Sequence, residues 1–99
     1  MTEPPNTLLE LLRAYPPGQI FRLAPKTSIM RGFDYFRRGN LAELAWNADR
    51  SVLTAAVIGQ TRYLVDVTAG GSELDFTCTC PAWKPEANCK HVVCAALTI

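Results

Sequence analysis

The sequence carries little net charge, no long apolar run and no cysteine before position 78. A formal net charge of +1 creates no strong field that would draw the whole molecule onto nucleic acid. The apolar runs are far shorter than a membrane span and no secretory or transit signal is recognisable, so we expect a cytoplasmic protein without a membrane partner. The Gly-x-x-x-x-Gly-Lys-Ser/Thr loop is also missing, and nothing in these residues supports ATPase activity.

The chain has 99 residues, of which 48% are hydrophobic; this is enough for one modest core and too apolar for a disordered chain. No internal repeat or low-complexity tract interrupts it. We therefore expect one compact domain overall. In it, residues 1–27 form a helix and linker, and residues 28–99 hold a helix, a β-meander and a finger at 74–99. Domains of this size are marginally stable, and a bound metal is a usual remedy.

Two helices are predicted before the sheet. Apolar side chains at helical spacing predict the first, and they are Leu8, Leu11, Leu12 and Tyr15. Tyr-Pro-Pro-Gly at 15–18 ends this helix, and residues 19–25 are expected to be extended or turning. The second helix is predicted to begin near Thr27 or Ser28, to bury an apolar stripe, and to end at Gly39.

After Asn40 the apolar pattern changes to the alternation that is typical of strands. Four strands separated by short turns are predicted, at residues 41–46, 52–58, 63–68 and 74–79. Short links pair neighbouring strands antiparallel. The predicted fold class is therefore α+β: a small four-stranded antiparallel meander with two N-terminal helices, and a C-terminal helix that zinc pins to the sheet as in a ββα finger.

All four cysteines and the single histidine fall within residues 78–94. Cys78 lies on the predicted fourth strand and Cys80 directly follows it, before Pro81 ends the extended run, so we expect their side chains to point to the same face. Cys89 and His91 can converge if Cys89 immediately precedes a helix and His91 lies on its first turn. Three thiolates and one imidazole are a complete tetrahedral set for Zn²⁺, and four available ligands favour a closed structural site over a catalytic one.

Other uses of these side chains are weaker alternatives to a metal site. Cysteines separated by one residue bridge poorly to each other, and no secretory signal precedes them, which disfavours disulfides. A Cys–His nucleophile would need an oxyanion device such as a Gly-rich elbow, and none accompanies the pair, so we expect no enzymatic activity. Cys94 lies three residues after His91 on the same helical face; we expect a small buried thiol there, with metal ligation as the alternative.

The Cys-x-Cys…Cys-x-His pattern resembles the SWIM zinc finger, a module of Swi/Snf-class ATPases, MuDR-type transposases and some ubiquitin ligases. The ligand positions of that family fall on Cys78, Cys80, Cys89 and His91. Pro81 also matches the family, and Arg-Gly-Phe-Asp-Tyr-Phe-Arg-Arg-Gly at 31–39 resembles the segment that precedes the finger in bacterial Swi/Snf-type helicases. The two resemblances imply an accessory module near the N-terminus of a longer, helicase-like ATPase.

Two kinds of partner are compatible with such a module. DNA is the first, because five cations between Gln19 and Asn40 are offset by Asp34 alone. The alternative for these five is a solvated helix face, and Lys84 and Lys90, which flank the site, can instead serve to neutralise its thiolates. The candidate nucleic-acid contacts are Arg31, Arg37, Arg38, Lys84, Lys90 and Trp83. The second is a protein partner, anchored by Trp83 and the loop at 81–88 without nucleic-acid binding, unless that indole is buried over the finger. No small-molecule substrate is expected.

Overall fold

The computed structural model describes residues 7–70, 73–81, 83–84 and 88–98, and it contains the predicted α+β fold. In chain order the elements are α1 (Thr7–Ala14), a 3₁₀ helix (Pro17–Arg22), α2 (Lys26–Arg37), β1 (Leu41–Trp46), β2 (Val52–Ile58), β3 (Arg62–Gly70), β4 (Glu73–Cys78) and α3 (Lys90–Thr98). The four strands form one sheet in the order β1-β2-β3-β4, each antiparallel to the next, which confirms the meander. Among the described helices, none has the length and apolar character needed to cross a bilayer.

The helices α1 and α3 cover one face of this sheet with the main core between the two layers, and α2 packs on α3. Alternate residues of the central strands supply its floor, and these buried residues are Leu53, Ala55, Val57, Val65 and Val67. Phe76 and Cys78 of β4 belong to the same layer, and Leu8 of α1 packs against this layer from the helical side. The sheet therefore delivers Cys78 to the covered face, next to α3.

A bulge in β1 determines which of its side chains face the covered side. Leu41 and Glu43 lie opposite consecutive residues of β2, Val57 and Ala56, so one extra residue is accommodated between them. Because side chains alternate along a strand, this insertion puts Leu44 on the same face as Ala55, although it stays 41% exposed, and leaves Glu43 on the outer face, where its carboxylate pairs with Arg62. The bulge thus keeps a charge away from the core layer.

The helix α2 packs against α3, and Gly32 allows the close approach. A Cβ atom at position 32 would overlap the Val93 side chain and would lie 2.9 Å from the Lys90 carbonyl oxygen. The helix ends as predicted at Gly39, which has a φ of 69°, a conformation that favours glycine. The Asn40 amide after it donates to the Tyr35 carbonyl at 3.0 Å, so the chain turns directly into β1.

The segment between α1 and α2 differs from the prediction. Residues 19–25 were expected to be extended or turning, whereas Pro17–Arg22 forms a 3₁₀ helix. Pro17 stands in its first turn, where a fixed φ is favourable and a missing amide costs nothing, and Ile20 is buried against α2 and α3. Strand β3 is also longer than the predicted 63–68, because its pairing with β4 continues to the end of the hairpin.

Candidate metal centre

Strand β4 and the turn after it position two of the cysteines. Cys78 is the last residue of β4, and the pairing continues through Thr79, whose amide donates to the Leu64 carbonyl at 3.1 Å. The Leu64 amide in turn donates to the Thr79 hydroxyl at 3.0 Å. Beyond it the Trp83 amide donates to the Cys80 carbonyl at 3.3 Å and closes the turn. This local structure holds Cys78 and Cys80 on the covered side of the sheet, and both are buried.

The start of α3 positions the other two side chains, in the arrangement that their spacing predicted. The helix begins at Lys90, directly after Cys89, and the Val93 amide donates to the Cys89 carbonyl at 3.3 Å. The Val92 amide donates to the Cys89 sulfur, so this cysteine takes the position of a helix N-cap. His91 lies on the first turn and points to the same region as Cys89. A helix N-terminus favours an anionic thiolate there.

The ligand atoms of Cys78, Cys80, Cys89 and His91 all lie within 4.8 Å of one another. The Nδ1 atom of His91 is 3.6 Å from the Cys89 sulfur and 3.8 Å from the Cys78 sulfur. In a tetrahedral site with Zn–S near 2.3 Å and Zn–N near 2.05 Å, sulfur and nitrogen would be separated by about 3.6 Å. All four residues are buried, and only 3% of His91 is exposed. This group can therefore hold a metal ion.

The Cys78 and Cys89 sulfurs shift each other's acidity in opposite directions. Hydrogen bonding between the two sulfurs is the main reason that the pKa of Cys89 is lowered, and His91 and the Val92 amide lower it further. The same hydrogen bond, together with burial, raises the pKa of Cys78. The thiolate form of Cys89 is thus favoured at this site, and binding of a metal ion would release the protons of the other cysteine ligands.

Cys94 does not belong to this group of four among the described residues. It is fully buried on α3 within the main core, and burial raises the pKa of its thiol to about 11. A protonated thiol in an apolar environment is a poor metal ligand and packs as a small hydrophobe. This placement agrees with the expectation of a buried thiol.

The far side of the His91 ring is held by packing. Its Nε2 atom is buried and has no hydrogen-bond partner among the described residues. The Tyr63 ring lies tilted against the imidazole with 4.3 Å between centroids, and the Tyr35 ring meets it edge-on at 5.6 Å. A Cβ on Gly59 would come 3.3 Å from Nε2, so only glycine allows the chain to pass there without crowding. These contacts turn Nδ1 toward the sulfurs.

Two of the predicted nucleic-acid contacts, Arg31 and Lys90, come together beside the metal centre. They line a groove of about 300 Å³ that also touches Cys80, Cys89 and His91. Its other lining residues are Ser28, Tyr35, Gln60, Tyr63 and Pro81. The Lys90 ammonium lies 5.2 Å above the centre of the Tyr35 ring, a cation–π contact that holds it at the groove. The groove is polar and positively charged on its α2 and α3 sides.

The other predicted cations are not part of this groove. Arg37 and Arg38 lie at the end of α2, and Arg38 forms an exposed ion pair with Asp34 at 3.2 Å. Lys84 is exposed on the turn that follows the second cysteine. The structure therefore divides the six predicted nucleic-acid contacts, and only two of them line the groove.

Trp83 is half-buried and packs against the main core. Its indole N–H donates to the Asn88 side-chain oxygen at 2.9 Å, and the Asn88 amide donates to the Leu23 carbonyl at 3.0 Å. These two bonds tie both ends of the loop at 81–88 to the linker before α2. Trp83 was expected either to be exposed as an anchor for a partner or to be buried over the finger. The structure has the second arrangement, with the indole partly covered and hydrogen-bonded.

Three residues around the site were missed by sequence reasoning. Tyr63 had a signal, because it shares a strand face with the buried valines of β3. Gly59 falls in the short turn predicted between residues 58 and 63, and nothing in that pattern indicates that it also leaves room for the histidine. Asn88 had no signal, since its two hydrogen bonds reach Trp83 and a residue 65 positions away.

Comparison of this chain with models of protein families, with curated proteins and with solved structures found no match. The arrangement of Cys78, Cys80, Cys89 and His91 is consistent with a zinc finger and does not by itself distinguish one finger family from another.

Proposed function

We propose that the protein is a SWIM-type structural zinc module, in which Cys78, Cys80, Cys89 and His91 bind one Zn²⁺. The observation that carries this proposal is the convergence of four buried ligand atoms within 4.8 Å. Three thiolates and an imidazole suit zinc better than magnesium or calcium, which take oxygen ligands. Four protein ligands fill a tetrahedral site and leave no position for a reacting water, so the zinc in this proposal is structural and not catalytic.

The role of the metal is to join two parts of the fold. Two ligands come from the end of β4 and the turn after it, and two come from the start of α3. The ion therefore fixes α3 on the sheet, where Val92, Val93 and Ala95 are fully buried. Because such a site does not exist in the unfolded chain, the free energy of metal binding adds directly to the free energy of folding.

Metal content and chelation test this part of the proposal. We expect one zinc ion per chain in protein purified without chelator, and cooperative loss of near-UV circular dichroism when the ion is removed. Cys80→Ala should abolish stoichiometric binding, whereas Cys94→Ala should leave one ion per chain. Protein that holds no metal and keeps its fold in excess chelator would refute a structural zinc site.

The second part of the proposal is that the groove beside the zinc binds nucleic acid, most simply the DNA backbone. Arg31 and Lys90 supply two cations, and Ser28 and Gln60 supply neutral hydrogen-bonding groups of the kind that contact phosphates. Binding of this kind needs no strong net charge, because only the local field at the groove acts on the strand. Trp83 is not required as a stacking platform in this arrangement.

A protein partner anchored by Trp83 is less favoured. The indole already uses its one donor on Asn88 and is half-buried, so little of it remains for a partner. The resemblance to the segment before the finger of bacterial Swi/Snf-type helicases supports a role as an accessory DNA-binding module of a helicase-like ATPase in the cytoplasm. That larger context is part of the proposal.

Salt-titrated binding to labelled single- and double-stranded DNA tests the groove. Loss of one phosphate contact by Arg31→Ala or Lys90→Ala should weaken binding to all sequences alike and reduce the salt slope by about 1. Arg13→Ala, an exposed arginine on α1, is the matched control and should have no effect. If the zinc-loaded protein binds no DNA at low salt, the nucleic-acid proposal is wrong and the zinc proposal stands unaffected.

A further inference from the structure

The helix α2 has a second exposed face on the side opposite the groove. Lys26, Met30, Phe33 and Arg37 recur every three or four positions and so form one stripe along the helix. At 3.6 residues per turn, this stripe lies about 160° around the helix from the groove-lining residues of α2. The Met30 surface consists of these four residues of α2 together with Phe21 and Arg22 of the 3₁₀ helix.

The centre of the Met30 surface is apolar and open to solvent. Met30 and Phe21 are each 63% exposed, more than any other large apolar side chain in the described part of the protein. Phe21 stacks on Phe33 with 6.0 Å between ring centroids and an angle of 24° between the rings. The stacked pair is thus already ordered before any partner arrives, which lowers the entropic cost of binding.

The rim of the Met30 surface is positively charged and uncompensated. Lys26 and Arg37 stand at its two ends, Arg22 stands beside Phe21, and all three are exposed. Within the described ranges none of these cations forms an ion pair. The one acid of α2, Asp34, is already paired with Arg38. The described part of the protein therefore supplies no acidic partner to these three cations, and the surface is complementary to an acidic ligand.

We propose that the Met30 surface docks an acidic amphipathic peptide segment of a partner protein. Apolar side chains of that segment would cover Phe21, Met30 and Phe33, while its Asp or Glu residues would meet Lys26 and Arg37. Methionine, aromatic residues and arginine are the residues enriched at protein–protein interfaces, and Met adapts its shape to varied partners. Nucleic acid fits less well, since its backbone gives an exposed Met–Phe centre nothing apolar to cover. The proposal is independent of the groove and its ligand.

Selection from a random peptide library displayed on phage, with the zinc-loaded full chain as target, tests the proposal. Enriched peptides should carry Leu, Phe or Trp flanked by Asp or Glu. Met30→Ser or Phe21→Ser should weaken a synthetic copy of an enriched peptide about tenfold or more. Leu64→Ser is the matched control, since Leu64 is an exposed apolar residue on the outer sheet face, and it should leave the affinity unchanged. Chemical-shift mapping on the wild-type protein gives a readout that no variant can disturb.

Reversing the charges on the protein and on the peptide distinguishes specific docking from non-specific hydrophobic association. Lys26→Glu with Arg37→Glu should weaken the acidic peptide, and replacing the peptide acids by lysine should restore binding to this variant only. Enriched peptides without acidic residues, peptides that bind all variants equally, or shifts mapped away from α2 would overturn the proposal. So would a DNA duplex or phosphatidylserine vesicles whose binding depends on Met30 while no peptide binds.

Discussion

Replacing Gly32 by alanine should loosen the metal centre, although the residue touches no ligand. Gly32 lies where α2 crosses α3, and an added Cβ would overlap Val93 and come 2.9 Å from the Lys90 carbonyl oxygen. Both obstacles belong to the first turn of α3. One is a backbone atom, which cannot rotate away as a side chain can. The helix itself must therefore move, and it carries Cys89 and His91 with it.

The size of the effect follows from two opposing terms. Overpacking a core costs about 1–3 kcal/mol, and the contact with backbone places this site at the upper end. Alanine gains about 1 kcal/mol over glycine from helix propensity. The net loss of about 2 kcal/mol corresponds to a fall in Tm of roughly 8–16 °C for a domain of this size. If the metal site absorbs the whole strain, zinc affinity falls by roughly thirtyfold.

Thermal unfolding of the zinc-loaded protein and competition with a chromophoric chelator measure the two quantities. Gly18→Ala is the matched control, because nothing lies within 4 Å of an added Cβ there and its φ is not left-handed. That variant should be neutral, or stabilised by up to about 1 kcal/mol through the unfolded state. If Gly32→Ala has the Tm and the zinc affinity of the wild type, then α2 and α3 do not cross as described.

Three further predictions concern single side chains. His91→Ala should lower zinc affinity by more than about a hundredfold, because losing a ligand should cost more than losing a residue that only supports a ligand, for which a hundredfold is the upper range. Near-complete retention of tight binding would point to Cys94 as a ligand. Iodoacetamide at mildly alkaline pH should leave Cys94 unlabelled in the folded protein by mass spectrometry, because burial raises the pKa of this thiol to about 11; rapid labelling would contradict its burial. Burial also raises the pKa of Tyr15 above its ordinary value of 10.0, so folding favours the neutral phenol. The resulting stability is present below that value and is lost as the pH rises through the folded pKa, and phenolate absorbance at a pH near 10 should therefore be lower in the folded than in the denatured chain.

Much of the fold and of the candidate site could be predicted because the signals are local. Period-two alternation and short turns predict the meander, and two cysteines separated by one residue of extended chain point to one face. A cysteine just before a helix and a histidine on its first turn follow from helical geometry in the same way. These patterns act over a few residues, which is why Cys78, Cys80, Cys89 and His91 could be singled out without coordinates.

The sequence by itself thus determined the types of element, their order and the chemistry of the candidate metal site. Only the tertiary structure decided that Nδ1 of His91 faces the sulfurs, that Gly32 admits α3, and that Arg31 and Lys90 line one groove beside the site. The hydrogen bond to Asn88, which keeps the Trp83 indole half-buried, is also a feature of the tertiary structure. The physical reason is that these features depend on contacts between residues far apart in the chain, whose geometry no local periodicity encodes.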